Sequence, residues 1–287
     1  MSKPPGETPA KKDEISERAP GMIGILDSSV GGLSVLREMR RCMPGRDFIY
    51  YGDTARGPYG RKSPETVASY VSQGLSRLVD MGAGLLVVAG HDTAACLMDD
   101  IGTRLSIPVL DIITSGIIPG LNLSTPKAVG STPKAVGIIG PPLLEIAGTH
   151  DQVIRRALPG VPVFSVSAPL LEPLIESEWL KKPETAMIVK KYLHSLKLRQ
   201  IDTLVLGSNH YTCLLPVIQR KMGKRVSLLN SASVLAQEVK GYLAVHPEVD
   251  EAGTEGGICR IMASDITPHL LKNAKMFYGQ NVKLEKI

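Results

Sequence analysis

Short runs of aliphatic and β-branched residues alternate with longer stretches whose apolar positions recur every three or four residues. The runs Met22–Asp27, Asp47–Tyr51, Leu85–Ala89, Val109–Ile113, Ala135–Gly140, Val163–Ser167, Thr203–Gly207, Val226–Asn230 and Gly257–Ala263 predict strands. They are apolar at successive positions, as strands of a parallel sheet covered on both faces must be. Helical periodicity predicts Leu33–Cys42, Ser63–Met81, Leu170–Glu178, Pro183–Leu196 and Ser231–Val245. Ser63-Pro64-Glu65 and Ser231-Ala232-Ser233 carry helix-start chemistry, a capping hydroxyl followed in the first case by proline. The repeated strand-then-helix order predicts an α/β fold with right-handed crossovers.

Composition narrows the class. The 287 residues, 43% hydrophobic and 21% charged, suffice for one large domain or two medium ones. The opening MSKPPGETPAKKDEISERAP has too little apolar surface to offset the entropy of ordering, so residues 1–21 read as a flexible tail. That opening lacks the apolar centre of a secretory signal, and the chain has no run long enough to span a bilayer; both predict a cytoplasmic protein without membrane contact. The net charge of +5 is scattered along helical faces (Arg37, Arg40, Arg41, Lys181, Lys182, Lys190, Lys191). With three Phe and one Trp, the chain lacks a base-stacking platform, so no nucleic-acid partner is expected. Cys42, Cys96, Cys213 and Cys259 are widely spaced, without a CxxC pair, and read as free thiols rather than disulfides or metal ligands.

Ligands of open parallel sheets sit beyond the carboxyl ends of the strands, which directs attention to four strand-to-helix turns. These are Asp27-Ser28-Ser29-Val30-Gly31-Gly32, Gly52-Asp53-Thr54, Gly90-His91-Asp92-Thr93 and Gly207-Ser208-Asn209-His210-Tyr211. All are small, polar and titratable. The glycines of the first let backbone approach a ligand, and the helix amides there attract a carboxylate or phosphate; the ordinary alternative is a capped tight turn. It is not a dinucleotide fingerprint, because GxGxxG is absent. A tandem repeat, STPKAVG at 124–130 and 131–137, reads as a duplicated loop feeding a strand near the middle of the chain.

Together these motifs resemble the glutamate racemases of the aspartate/glutamate racemase superfamily. IGILDSSVGGLSVLREM and DFIYYGDTARGPYG, between Ile23 and Gly60, resemble that family's DSGVGGL, YFGDTA and PYG. VVAGHDTAA (Val87–Ala95) resembles its VIACNTASA, LVLGSNHYTCLLP (Leu204–Pro216) its LGCTHYPLL, and SAPLLEPLIESE (Ser167–Glu178) its CPxxVPLVE. The resemblance implies two pseudo-symmetric α/β lobes with a ligand cleft between them. The first would span 22–115 and be completed by 231–287; the second would span 116–230. It also implies cofactor-independent amino-acid racemisation supplying D-glutamate for peptidoglycan, and a homodimer. Two thiols, one per lobe, would remove and return the α-proton from opposite faces, and no metal would take part. By carry-over, Ser28, Pro58, Tyr59, Gly60, Thr93 and Glu176 would contact the substrate, and Asp27 and His210 would assist proton transfer.

Both thiols are replaced. Gly90 or His91, depending on register, stands at the first cysteine position and Ser208 at the second. Asn209 replaces a threonine, Gly140-Pro141-Pro142 replaces a hydroxyl-rich turn, and Asp92 replaces an asparagine, bringing a negative charge into a dicarboxylate site. A serine hydroxyl is too weak an acid to substitute for a thiol unless strongly activated. His91 has the basicity for proton transfer near neutrality, or is simply a polar turn residue. Cys96 sits a full turn into the following helix, where core packing is the expected role; Cys213 reaches the cleft only if its loop bulges. Three functions stay open. One is a cleft that binds a small amino acid or carboxylate with two-thiol chemistry lost. Another is an isomerase or lyase using a changed base such as His91 or His210. The last is a non-catalytic regulatory protein.

Overall fold

The computed structural model describes residues 21–123, 132–250 and 257–287. Residues 1–20 of the expected tail and the first copy of the STPKAVG repeat lie outside the described residues. The chain begins β1 (Met22–Asp27), α1 (Leu33–Cys42), β2 (Phe48–Gly52), α2 (Pro64–Asp80), β3 (Ala83–Val88), α3 (His91–Ala95), α4 (Ile101–Leu105), β4 (Val109–Asp111) and α5 (Ile118–Leu123). It continues through β5 (Val136–Gly140), α6 (Pro142–Ala147), α7 (Thr149–Ala157), β6 (Val163–Ser167), α8 (Leu171–Glu176), α9 (Pro183–Leu198), β7 (Thr203–Leu206), α10 (Leu215–Met222) and β8 (Ser227–Leu229). It ends with α11 (Ser231–Val245), α12 (Pro247–Asp250), β9 (Cys259–Ala263), α13 (Pro268–Tyr278) and β10 (Glu285–Lys286).

The strands form two wholly parallel sheets, ordered β10-β9-β2-β1-β3-β4 and β6-β5-β7-β8. Every residue of β2 and β5 is buried, which is why these strands read as unbroken apolar runs. Helices cover the sheets, started by local chemistry the sequence advertises. The Ser63 hydroxyl accepts from the Thr66 amide at 3.3 Å ahead of Pro64, and Thr267 does the same for Leu270 at 3.0 Å ahead of Pro268.

Each sheet has one place where the chain's direction of travel reverses. In the first sheet β1 is flanked by β2 on one side and β3 on the other; in the second, β5 is flanked by β6 and β7. Such switch points open crevices at strand carboxyl ends. The two crevices face each other, so the turns after β1, β3, β5 and β7 form one cleft between the lobes.

Several expected elements end differently. The predicted strand Val109–Ile113 stops at Asp111, whose carboxylate accepts from the amides of Ile113 (2.7 Å) and Thr114 (2.9 Å). Those bonds turn residues 112–117 into a π-helix. The predicted helix 170–178 closes at Glu176, because Glu178 takes a left-handed backbone (φ 61°).

Candidate functional site

The carboxylate of Asp27, at the end of β1, accepts from the amide of Ser28 at 2.7 Å and from that of Gly32 at the start of α1. The anion position at this helix terminus is therefore filled by the protein's own side chain. A Cβ on Gly32 would lie 2.6 Å from that carboxylate, so glycine is what allows the approach. Burial, then the nearby Asp92 charge, push the Asp27 carboxyl up to about 6, against the pull of His210 and the two amides.

Beyond β3, Gly90 caps α3 and His91 begins it. The cleft wall here is Gly90, His91 and Asp92, joined by Ser28, Ser29 and Pro58 of the same lobe. Ser28 Oγ donates to Asp92 Oδ2 at 2.8 Å, while the Thr93 amide donates to Asp92 Oδ1 at 2.7 Å. Burial and the facing Glu172 raise the Asp92 carboxyl above its ordinary value. His91 is turned aside: its Nδ1 meets His150 Nε2 of α7 at 3.0 Å, and its Nε2 meets Ser231 Oγ at 3.2 Å. Both rings are buried and lie stacked, and burial holds both neutral, His150 down to about 3. His150 Nδ1 has no hydrogen-bond partner among the described residues.

The second lobe supplies Pro141, Glu172, Gly207, Ser208, Asn209 and His210. Ser208 Oγ donates to Glu172 Oε1 at 2.6 Å and lies 3.5 Å from His210 Nδ1. His210 Nε2 pairs with Glu176 at 3.2 Å, and the edge of Phe277 packs on its ring. Burial opposes charging of this imidazole, but the carboxylates of Glu176, Glu172 and Asp27 outweigh it and raise His210 to about 9. Across the cleft, Asn209 Nδ2 donates to Ala89 O at 2.9 Å and Thr149 Oγ1 to Ala95 O at 2.7 Å. These bonds, with the histidine pair, tie the lobes together. The side chains leave a volume of about 20 Å³ between them, about that of one water.

The structure thus brings Asp27, Ser28, Pro58, His91, Asp92, Ser208, Asn209 and His210 to one cavity wall. Glu176 stands behind His210. Tyr59, Gly60 and Thr93 are set back: the Tyr59 hydroxyl donates to Asp53, Gly60 backs onto Pro141, and Thr93 is fully buried beside Asp92. Glu172 and His150 escaped the sequence reading. Glu172 had a signal, since the family pattern CPxxVPLVE has valine at its position; a lone histidine such as His150 had none. Among the described residues no cysteine lines the cavity. Cys96 is buried and Cys213 faces a separate surface cavity, and burial pushes both thiols up to about 11.

Gly90 has no room for a side chain in this arrangement. A Cβ there would lie 2.3 Å from Asp27 Oδ1 and 2.6 Å from Thr93 Oγ1. Gly90→Cys is therefore expected to destabilise the fold by about 1–3 kcal/mol, as overpacking does, whereas Ser208→Cys should cost little. Thermal unfolding of the two variants checks this; an unchanged midpoint for Gly90→Cys would refute the geometry.

No protein-family model matches the chain. The glutamate racemase of Geobacter metallireducens is 35% identical over 261 residues, covering 90% of this chain and 92% of that protein. The glutamate racemase of Streptococcus sanguinis is 36% identical over 222 residues, covering 77% and 81%. Among solved structures, the Francisella tularensis glutamate racemase in complex with D-glutamate superposes with a TM-score of 0.83 at 25% identity, covering 93% of this chain and 97% of its own. A Bacillus anthracis glutamate racemase isoform gives 0.83 at 27% identity, with the same coverage. The two parallel sheets and their facing crevices are the architecture these comparisons share, and on that sequence identity the chain belongs to the glutamate racemase family.

Proposed function

We propose that this glutamate-racemase-like protein binds a small amino-acid ligand in the interlobe cleft and has lost two-thiol racemisation. The observation that carries this reading is the cleft wall itself, where Gly90, His91 and Ser208 stand at the expected thiol positions. With thiols at about 11, roughly one Cys96 or Cys213 in ten thousand is ionised at neutral pH. That supplies almost no thiolate base, and neither sulfur lies at the cavity. The Francisella relative's complex with D-glutamate supports an amino acid as the class of ligand. At about 20 Å³ the cavity must widen to admit one, so binding requires the lobes to part or the Ser28–Asp92 and Ser208–Glu172 bonds to yield.

The experiment is proton exchange at Cα of L- and D-glutamate in D₂O, followed by NMR, alongside ligand-induced thermal shifts. No exchange above the uncatalysed background is expected. Exchange at an enzymatic rate would show that the cleft still abstracts the α-proton, and would leave only a base other than the two thiols to do it.

One observation favours a second reading, an isomerase with a changed base. Asp27, held at about 6, and His210, held at about 9, reach the same cavity from opposite lobes as a poised base and acid. His91 fits that role less well, because both its ring nitrogens are engaged elsewhere. If exchange is seen on any amino acid, His210→Asn should reduce it by about 10²–10⁴-fold, and an unaffected rate would remove His210 from the chemistry.

A further inference from the structure

The charge and hydrogen-bond state of the cleft carry information about which amino acid it takes. Three carboxylates, Asp27, Asp92 and Glu172, line the cavity, and a fourth, Glu176, lies behind His210. His210 is the one cationic side chain in the wall, and Glu176 already engages it at 3.2 Å; no lysine or arginine is among the lining residues. Two of the three lining serine hydroxyls are committed as donors as well. Ser28 gives its proton to Asp92 at 2.8 Å, and Ser208 gives its proton to Glu172 at 2.6 Å. Asp92 and Glu172 thus occupy, from opposite lobes, the donors that a ligand's carboxylates would use. The other oxygen of Glu172, Oε2, has no hydrogen-bond partner among the described residues and is an open acceptor 3.7 Å from where a Gly60 Cβ would sit.

A second carboxylate entering this cavity would meet like charges at short range with no lysine or arginine to receive it, and two of the three lining serine hydroxyls, those of Ser28 and Ser208, already given to carboxylates. An ammonium or guanidinium group meets the reverse: surplus acceptors on two facing walls, where a charge-assisted bond is strongest. On the reading that the cleft binds an amino acid, we infer that its ligand is an amino acid with a cationic side chain, and that Glu172 and Asp92 are the residues that select it over glutamate. The substitution that distinguishes this cleft most sharply from the family pattern CPxxVPLVE, glutamate for valine at position 172, is then the one that reverses its charge preference.

The test is calorimetric titration and thermal shift of the full chain with both enantiomers of lysine, ornithine, arginine, glutamate and aspartate. Glu172→Val and Asp92→Asn are run in parallel. Wild type is expected to bind at least one basic amino acid at least tenfold more tightly than glutamate. Glu172→Val should lose at least tenfold in that affinity and gain in affinity for glutamate. Glutamate binding to wild type as tightly as any basic amino acid would overturn the inference while leaving the cleft-binding reading intact. So would basic amino acids binding Glu172→Val and Asp92→Asn unchanged. Binding of no amino acid to wild type would overturn both together. The comparison of ligands on wild type needs no variant, so a variant that fails to fold does not block the decision.

Discussion

Phe277→Ala should lower the stability of the chain by about 3–5 kcal/mol, the usual cost of emptying an aromatic site in a packed core. Phe277 lies on α13, is 2% exposed, and sets the edge of its ring against His210, with centroids 4.9 Å apart at 75°. The helix that carries it packs on α1, whose amino terminus holds Asp27. Removing the ring therefore leaves a void beside the His210–Glu176 pair as well as weakening the seat of the first lobe. Phe277→Leu, which keeps most of the volume, should cost less than about 2 kcal/mol. Urea unfolding of the three proteins measures both values. Equal midpoints for wild type and the alanine variant would mean that α13 does not brace the cleft.

Acidification should unfold the protein in a way traceable to two residues. In the unfolded chain His91 and His150 take up protons near 6.5; in the folded chain burial delays both, His150 to about 3. The unfolded state then binds more protons as pH falls below 6.5, so stability drops by about 1.4 kcal/mol per pH unit for each histidine. Asp27 acts in the other direction. Its folded value, about 6 against 3.8, lets the native state take its proton first, which offsets one histidine between pH 6 and pH 4, and the raised carboxyl of Asp92 works in the same sense. His210 bounds the alkaline side: raised to about 9, it contributes stability that is whole below 6.5 and lost as pH climbs through 9. The stability maximum belongs near pH 6.5. Unfolding free energies measured from pH 4.5 to 9.5 should show that maximum, and His150→Gln should flatten the acid limb by about one proton's slope. An acid limb unchanged by His150→Gln would contradict the burial of this ring.

The two-lobed architecture was legible because parallel strands buried on both faces have no polar positions to obscure them. Helices α1 and α11 run from Leu33 to Cys42 and from Ser231 to Val245, as their periodicity predicts. Strand β4 is shorter than its apolar run predicts: Ile112 and Ile113 look like strand, and the Asp111 side chain, capturing two amides, diverts them. Helices α6 and α7 were missed: Gly140-Pro141-Pro142 reads as a turn, but Pro142 is a first-turn helix residue that needs no amide partner. Three of the four polar turns, those after β1, β3 and β7, line the cavity; Gly52-Asp53-Thr54 does not, because Asp53 is taken by Tyr59 and Arg56 and Thr54 donates to Asp265 O. What they concealed was direction. Sequence places His91 in the cleft turn, yet its nitrogens are taken by a histidine 59 residues away and a serine 140 residues away. No local pattern reports partners at such separations. Glu172 was overlooked for a related reason, since one acidic residue in an amphipathic helix looks like a solvated face until Ser208 is seen beneath it.

The interior strand β2 has its outer neighbour, β9, more than 200 residues later in the chain. Every strand of the second sheet precedes β9 in the chain, so until β9 is made one edge of β2 lacks its partner. A nascent chain stalled before Cys259 would expose that apolar edge to other strands, which is where chaperone binding or aggregation should concentrate. Strands β9 and β10 thus complete the sheet that β1 and β2 begin.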